Sequence, residues 1–468
     1  MRRSVVAALL LAVPPALWGQ RAAAHIVRVL DGETGRGVPM VQLCATSAAC
    51  FWSDSAGVIA LDEDSFFGRE VAFAIDTRGG YSAPRDFFGE PGATLSIRHG
   101  GDSTIRLRRD QPAERLYRAT GEGIYRDSAR AGLPVPLPTQ SINARVTGLD
   151  TVMHAPYRGS MFWIFGDTND LSAPLGNFAS TAATSPLTPR AIEEAERTIE
   201  LNYIAPAGGF VSPVAAIPGP GMKWLSALMV LRDPAGQERL LARYDRHKSL
   251  TEVHDSGLLV FNDGARRFEP LVSFGAMPRA APHGRPTRVA VNGRDYFYFS
   301  WPQSIPSVRV PAEWAAVRDL ARYEAYTCEP APCRWSREAT PHSPQFVDHA
   351  TGKPFDGRAT SVYWNGYLGR WLAVVQGAPG DVYLAMATAP EGPYSPARRV
   401  IRHTRYNFYW PTQLPEFDRD GGRRILIMGT YTQSFSDAPV KVPRYDYNQL
   451  VYGVSLDDPR LGLSRGKK

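Results

Sequence analysis

The sequence predicts an all-β protein, a small N-terminal β-sandwich followed by a five-bladed β-propeller. Three observations predict it. Short runs of β-branched and aromatic residues alternate at period two along most of the chain. Forty-two glycines and 39 prolines punctuate 468 residues, which suits many tight turns. A chain of this length built from successive antiparallel hairpins must also protect its strand edges, and a closed ring of blades does so. Hydrophobic content of 44% and charged content of 21% are those of an ordinary globular protein, and the length exceeds one ordinary domain.

The first 24 residues, MRRSVVAALLLAVPPALWGQRAAA, read as a secretory signal. They have a basic start, an apolar stretch from Val5 to Leu17, and an Ala-x-Ala end at Ala22–Ala24. The apolar stretch is interrupted by Pro14-Pro15 and is short for a bilayer span. The expected mature chain is therefore secreted or periplasmic after cleavage near Ala24, with no transmembrane segment. Taking the leader's Arg2, Arg3 and Arg21 from the formal charge of +7 leaves +4. That charge is scattered, with no Lys/Arg run that tracks phosphates, so nucleic acid is not an expected partner.

The four cysteines form two close pairs, Cys44 with Cys50 and Cys328 with Cys333. In an exported chain this pattern reads as two small loop-closing disulfides. The competing zinc reading lacks neighbouring His or further Cys at ligand spacing.

Residues 25–109 carry the strand runs HIVRVLD, VPMVQL, FWSDSAGVIALDE, REVAFAIDTRGGY and STIRLRR. The stretch VLDGETGRGVPMVQL…SDSAGVIAL resembles the transthyretin-like or carboxypeptidase-regulatory-like β-sandwich. The resemblance implies a structural or adhesive module, and no chemistry is assigned to it. Residues 110–128 are too aromatic for a floppy linker and are expected to pack on the domain that follows. From 129 to 468 hairpins succeed one another, with turns at YRG, NG, GYLG and DRDGG. Helical periods are few; EEAERTIEL (193–201) and AEWAAVRDLARYEA (312–325) are the best and read as insertions.

In a propeller the inner strands converge on one axial face, so carboxylates distant in sequence meet there. Two carboxyl groups across a sugar are what glycoside hydrolysis requires. The first candidates are Asp150 in VTGLDTV and Asp167 in FWIFGDTND; the competing reading of Asp167 is a turn cap, with Thr168 and Asn169 bonding backbone. Glu324 in YEAYT, between two tyrosines, has the apolar surroundings that suit an acid catalyst, or it is a surface residue ending an insertion. Asp255 in EVHDSG is a further inner-strand candidate. Arg358 and Trp364 in RATSVYWNGYLGRW offer donors and an apolar platform, although Asn365-Gly366 fits a plain hairpin turn. Tyr409, Trp410 and Gln413 lie in the aromatic run RYNFYWPTQLPEF, where sugar stacking competes with core packing. The DRDGG segment (418–422) resembles a calcium loop only faintly and reads better as a charged turn. No metal and no cofactor is expected. No phosphate loop, dinucleotide fingerprint, G-x-S-x-G elbow or HExxH occurs.

Taken together, GLDTV…FWIFGDTN, GPYSP, SVYWN.YLGRW and PRYDYNQLVY resemble secreted bacterial propellers related to the five-bladed arabinanase-type glycoside hydrolases, endo-D-arabinanases included. The resemblance spans roughly residues 120–463. It implies a polysaccharide or oligosaccharide as partner, a base or nucleophile at Asp150, and a match of Asp167 to the family's GDT, with Glu324 as the candidate acid. The sequence departs from the family pattern at Met386 and Met428, where an acidic residue is expected, and at Leu414, where His is expected. Those departures keep a second reading open, a non-catalytic carbohydrate-binding propeller.

Overall fold

The structure, a computed structural model, describes residues 24–137, 141–177, 179–276, 278, 280–434 and 436–463. The signal segment read over residues 1–24 lies outside them, Ala24 excepted. No helix among the described residues is long and apolar enough to cross a membrane.

Residues 25–109 form two four-stranded sheets. One orders Val58–Leu61, His25–Asp31, Asp102–Arg109 and Tyr81–Ser82; the other orders Cys50–Trp52, Gln42–Ala45, Arg69–Asp76 and Gly92–Ile97. Alternation does the work here: along His25–Asp31 every second residue is buried, and Val27, Val29, Leu43, Ile59, Phe73 and Leu107 meet in one core. Cys44 and Cys50 are disulfide-bonded across the first two strands of the second sheet, and Cys328 is bonded to Cys333. Both rings close short loops, so each restrains the unfolded chain modestly. Replacing Cys44 and Cys50 by alanine is expected to cost ~2 kcal/mol, read as a lowered urea midpoint.

Five antiparallel sheets follow, one per blade. Their innermost strands are Val152–Tyr157, Met222–Arg232, Thr287–Val291, Arg358–Asn365 and Asn407–Gln413. The first, second and fourth blades are simple meanders of four strands, and the third has a fifth strand, Arg334–Ser336. The turns behave as read from sequence: Asn292 and Gly293, at φ 49° and 78°, join two strands of the third blade in the left-handed geometry that Asn-Gly favours. Each interface between neighbouring blades is a separate apolar cluster. One holds Phe162, Leu240 and Phe268 between the first and second blades, and another holds Met229, Phe297 and Val310 between the second and third.

The fifth blade is completed from the other side of the ring. Its strands Asn407–Gln413, Arg424–Thr432 and Asn448–Ser455 are joined at the outer edge by Glu114–Arg118. The segment expected to pack on the propeller as a linker is therefore partly a strand of it. Every residue of that strand is buried. Arg115 in its middle donates to the Tyr452 hydroxyl (3.1 Å) and to carbonyls of Pro39, Thr77 and Gly79 in the sandwich. A cluster of Trp163 and Phe165 with Leu426, Met428 and Val451 then closes the fifth blade on the first. The two helical expectations shrink on contact with this architecture. The helices run only Pro189–Glu194 and Trp314–Val317, because the remaining apolar residues of those segments are drawn into blade cores.

Candidate functional site

The axis of the ring is filled by Arg285, which is fully buried just before the innermost strand of the third blade. Its guanidinium donates to carbonyls of three other innermost strands: Val152 (Nε, 3.0 Å), Thr360 (Nη1, 3.0 Å) and Trp410 (Nη2, 3.0 Å). Those strands run in the same sense, since Thr287 bonds Val362, Ser361 bonds Gln413, and His154 bonds Gln413 further along. Arg285 thus marks one level of the axis. Residues preceding that level in each strand lie toward one mouth, and residues following it lie toward the other.

At the first mouth stand Asp150 and Asp167, both half-buried. Asp150 stands two residues before the first residue of the innermost strand of the first blade, Val152. Asp167 follows the second strand, and the backbones are tied by Asp150 N–H to the Asp167 carbonyl (3.2 Å) and Gly166 N–H to the Asp150 carbonyl (3.0 Å). The Trp224 indole N–H donates to Asp167 Oδ1 (2.8 Å). The Tyr447 hydroxyl bonds the Asp150 carboxyl, as does Thr151. Burial and the negative charge of Asp167 push the Asp150 carboxyl up to about 7, and burial raises Asp167 too, against the Trp224 hydrogen bond. Asp150 therefore keeps its proton toward neutrality beside the Asp167 carboxyl.

Backbone strain is present at this mouth. Thr151, Trp410 and Tyr447 all adopt left-handed φ, at 39°, 50° and 60°, a costly choice for side-chain-bearing residues and most of all for a β-branched one. At Trp410 the strand bulges against its neighbour, which re-aims the indole. The ring meets Trp301 at 4.9 Å with the planes tilted by 48°, and Arg285 lies 5.4 Å from its centre. Gly166 is required for a different reason. A Cβ there would lie 2.1 Å from Asp150 Oδ1. Gly166→Ala is expected to leave the fold intact, since a side-chain end can move, but to displace the carboxyl. If the pair is catalytic, turnover should fall about 10²-fold, the usual penalty for an ångström of misplacement, with an unchanged circular dichroism spectrum.

Of the residues singled out from sequence, Asp150, Asp167, Tyr409, Trp410 and Arg358 come to this mouth. Tyr409 accepts a hydrogen bond from Thr151 (3.4 Å). Arg358 opens the innermost strand of the fourth blade and lies over the Trp301 ring at 4.6 Å. The others go elsewhere. Glu324 is in the fourth strand outward of the third blade, where it accepts from Arg309 Nε (2.8 Å); the alternation of YEAYT made it look enclosed, but the strand is peripheral. Asp255 is in the third strand of the second blade, bonded by the Tyr244 and Ser273 hydroxyls. Trp364 is exposed near the far end of its strand, against Trp371. Gln413 lies at the opposite mouth, its amide donating to Asp418 (2.6 Å). Leu414 and Met428 are fully buried between the fifth and first blades, and Met386 packs on the core between the fourth and fifth. The departures at these three positions therefore alter packing and not the mouth.

Sequence reasoning missed Trp224, Tyr447, Trp301 and Arg285. Trp224 had a usable signal, because it begins an inner strand as Asp150 does. Tyr447 arrives from a loop before a third strand, inside the PRYDYNQLVY stretch, but nothing in that stretch gives it a site role.

No family model matches the chain, and no curated protein matches it. Among solved structures it is similar to an α-L-arabinofuranosidase from Fusarium graminearum in complex with an iminosugar inhibitor, 12% identical, covering 68% of this chain and 96% of that one at a TM-score of 0.36. It is also similar to an α-L-arabinanase from Penicillium chrysogenum complexed with arabinobiose, 12% identical over 74% and 99% at 0.36. A third is an exo-1,5-α-L-arabinanase from a bovine ruminal metagenomic library, 11% identical over 66% and 94% at 0.34. Identities and scores this low leave the chemistry to the residues of this chain.

Proposed function

We propose that this chain is an exported glycoside hydrolase-like propeller that cleaves a polysaccharide by carboxylate acid/base chemistry at Asp150 and Asp167. The observation that supports it best is the meeting of these two carboxyls. Both are raised at a strained, aromatic-walled axial mouth, and they differ in their hydrogen-bond partners, which poises them for complementary jobs. Asp150, for which the resemblance implies a base or nucleophile, holds its proton up to about pH 7 and is instead assigned the role of acid toward the leaving oxygen. Asp167, whose anion the Trp224 indole stabilises, serves as the base or nucleophile. With Glu324 on an outer strand, the acid role assigned to it from sequence passes to the pair. Tyr409 and Trp410 supply ring faces for the C–H surfaces of a sugar. The two disulfides accord with an oxidising compartment. We assign the N-terminal sandwich, read as transthyretin-like, a scaffolding role.

A panel of plant and bacterial polysaccharides assayed for reducing-sugar release tests the proposal: wild-type protein releases product from at least one, and Asp150→Asn releases none. A second reading, a carbohydrate-binding propeller without turnover, is favoured by the absence of Glu324 from the mouth. Binding on a glycan array with no release by the wild type selects it.

A further inference from the structure

We infer that the saccharide taken by this mouth is anionic, with a carboxylate-bearing (uronic acid) residue bound by Arg358; the inference rests on the proposed carbohydrate reading of the same site.

The argument begins with the level that Arg285 defines. One guanidinium reaches the carbonyls of Val152, Thr360 and Trp410, so three innermost strands are within a few ångströms of one another there. Asp150 and Arg358 each precede that level by two residues, on the same side. Side-chain contacts join the two: Arg358 lies over Trp301, Trp301 meets Trp410, and Tyr409 beside it is bonded by Thr151, the neighbour of Asp150, which places both residues at one mouth.

Arg358 is exposed and half-employed. One Nη donates to the Pro302 carbonyl (3.3 Å) and the guanidinium carbon lies over the Trp301 ring; among the described residues it has no carboxylate within ion-pair distance, although 21 other arginines do. The cation–π contact and the Pro302 bond restrain the fork while leaving donors open to the mouth. A guanidinium seated over an indole with free donors suits a bidentate carboxylate. Trp301 continues into Trp410 at 4.9 Å, which is itself backed by Arg285. The wall beside Arg358 is therefore apolar ring surface with positive charge at both ends, matched to a sugar ring that carries negative charge at its edge. The acidic pair does not repel such a ligand strongly below neutrality, because it then holds a proton. A sulfate ester presents similar oxygens but a tetrahedral geometry, which pairs less well with a planar fork.

The test uses full-length Asp150→Asn protein, so that binding is read without turnover, in calorimetric titrations with three matched oligosaccharides. One contains uronic acid, one is its carboxyl-reduced counterpart, and one is the reduced form bearing sulfate. Binding of the uronate about tenfold or more tighter than the reduced form supports the inference, provided that adding Arg358→Gln removes the difference between the two. Arg358→Lys is expected to restore part of it. Equal or weaker binding of the uronate, a preference for the sulfated form, or a uronate preference that survives Arg358→Gln overturns it. Failure of wild-type protein to release product from any polysaccharide overturns the hydrolase reading and leaves this result standing.

Discussion

Asp150→Asn is expected to abolish turnover and to stabilise the protein at the same time. The loss should be 10³-fold or more, because the amide carries neither a transferable proton nor a charge. The gain follows from linkage. The Asp150 carboxyl holds its proton to about pH 7 in the fold, against an ordinary value of 3.8 in the unfolded chain. Between those values the unfolded chain releases a proton that the folded one keeps, so this residue's contribution to stability falls as pH rises. It falls by about 1.4 kcal/mol per unit at most. Below pH 4 there is no difference, and above pH 7 the penalty is constant. Asn bears none of it. Urea titrations at pH 4, 6 and 8 should therefore show the variant gaining nothing, then something, then ~2–3 kcal/mol once partial solvent exposure is allowed for. A gain independent of pH, or a loss at pH 8, contradicts the raised carboxyl. Such a trade of stability for a strained, charged site is a common property of active centres.

Arg285→Met is expected to be the most destabilising single change at the axis. Burial lowers the guanidinium only to about 10, so it stays charged at neutrality, and it is satisfied by the carbonyls of Val152, Thr360 and Trp410. Methionine fills a similar volume but leaves those three acceptors without donors in a dry place. Each orphan costs about 1–3 kcal/mol when nothing replaces the bond, and a relaxed total of ~3–5 kcal/mol is expected. Arg285→Lys keeps the charge but lacks the planar reach to span three strands, and should fall between. Equilibrium unfolding in urea reads both. A cost under 1 kcal/mol for methionine means that the strands are held by their apolar interfaces alone. The Trp410 ring also loses its seat, so saccharide affinity should drop with stability.

What was legible in the sequence and what was not divide along one line. Period-two alternation and Asn-Gly turns are local, and they located the sandwich strands and most of the blade hairpins. Asp150 and Asp167 were legible because a strand that ends on carboxylates is a local anomaly. Position relative to the axis is not local. Glu324 and Asp255 sit on strands with the same alternation as inner ones, and only the count of strands outward from the axis separates them from Asp150. Arg285 gave no signal because its partners are backbone carbonyls, which every residue possesses. The segment before the ring reads as a linker because its pairing partner lies more than 300 residues away, and no pattern within it reveals an edge reserved for so distant a neighbour.

That reserved edge has a bearing on biogenesis. The strand Glu114–Arg118 leaves the ribosome early, and its place in the last blade is made only when residues up to Ser455 have followed. Until then its unpaired edge stays open while four blades assemble beside it. Maturation thus depends on the tail of the polypeptide, and a product cut short before Asn448 keeps its sandwich but lacks a sealed circle.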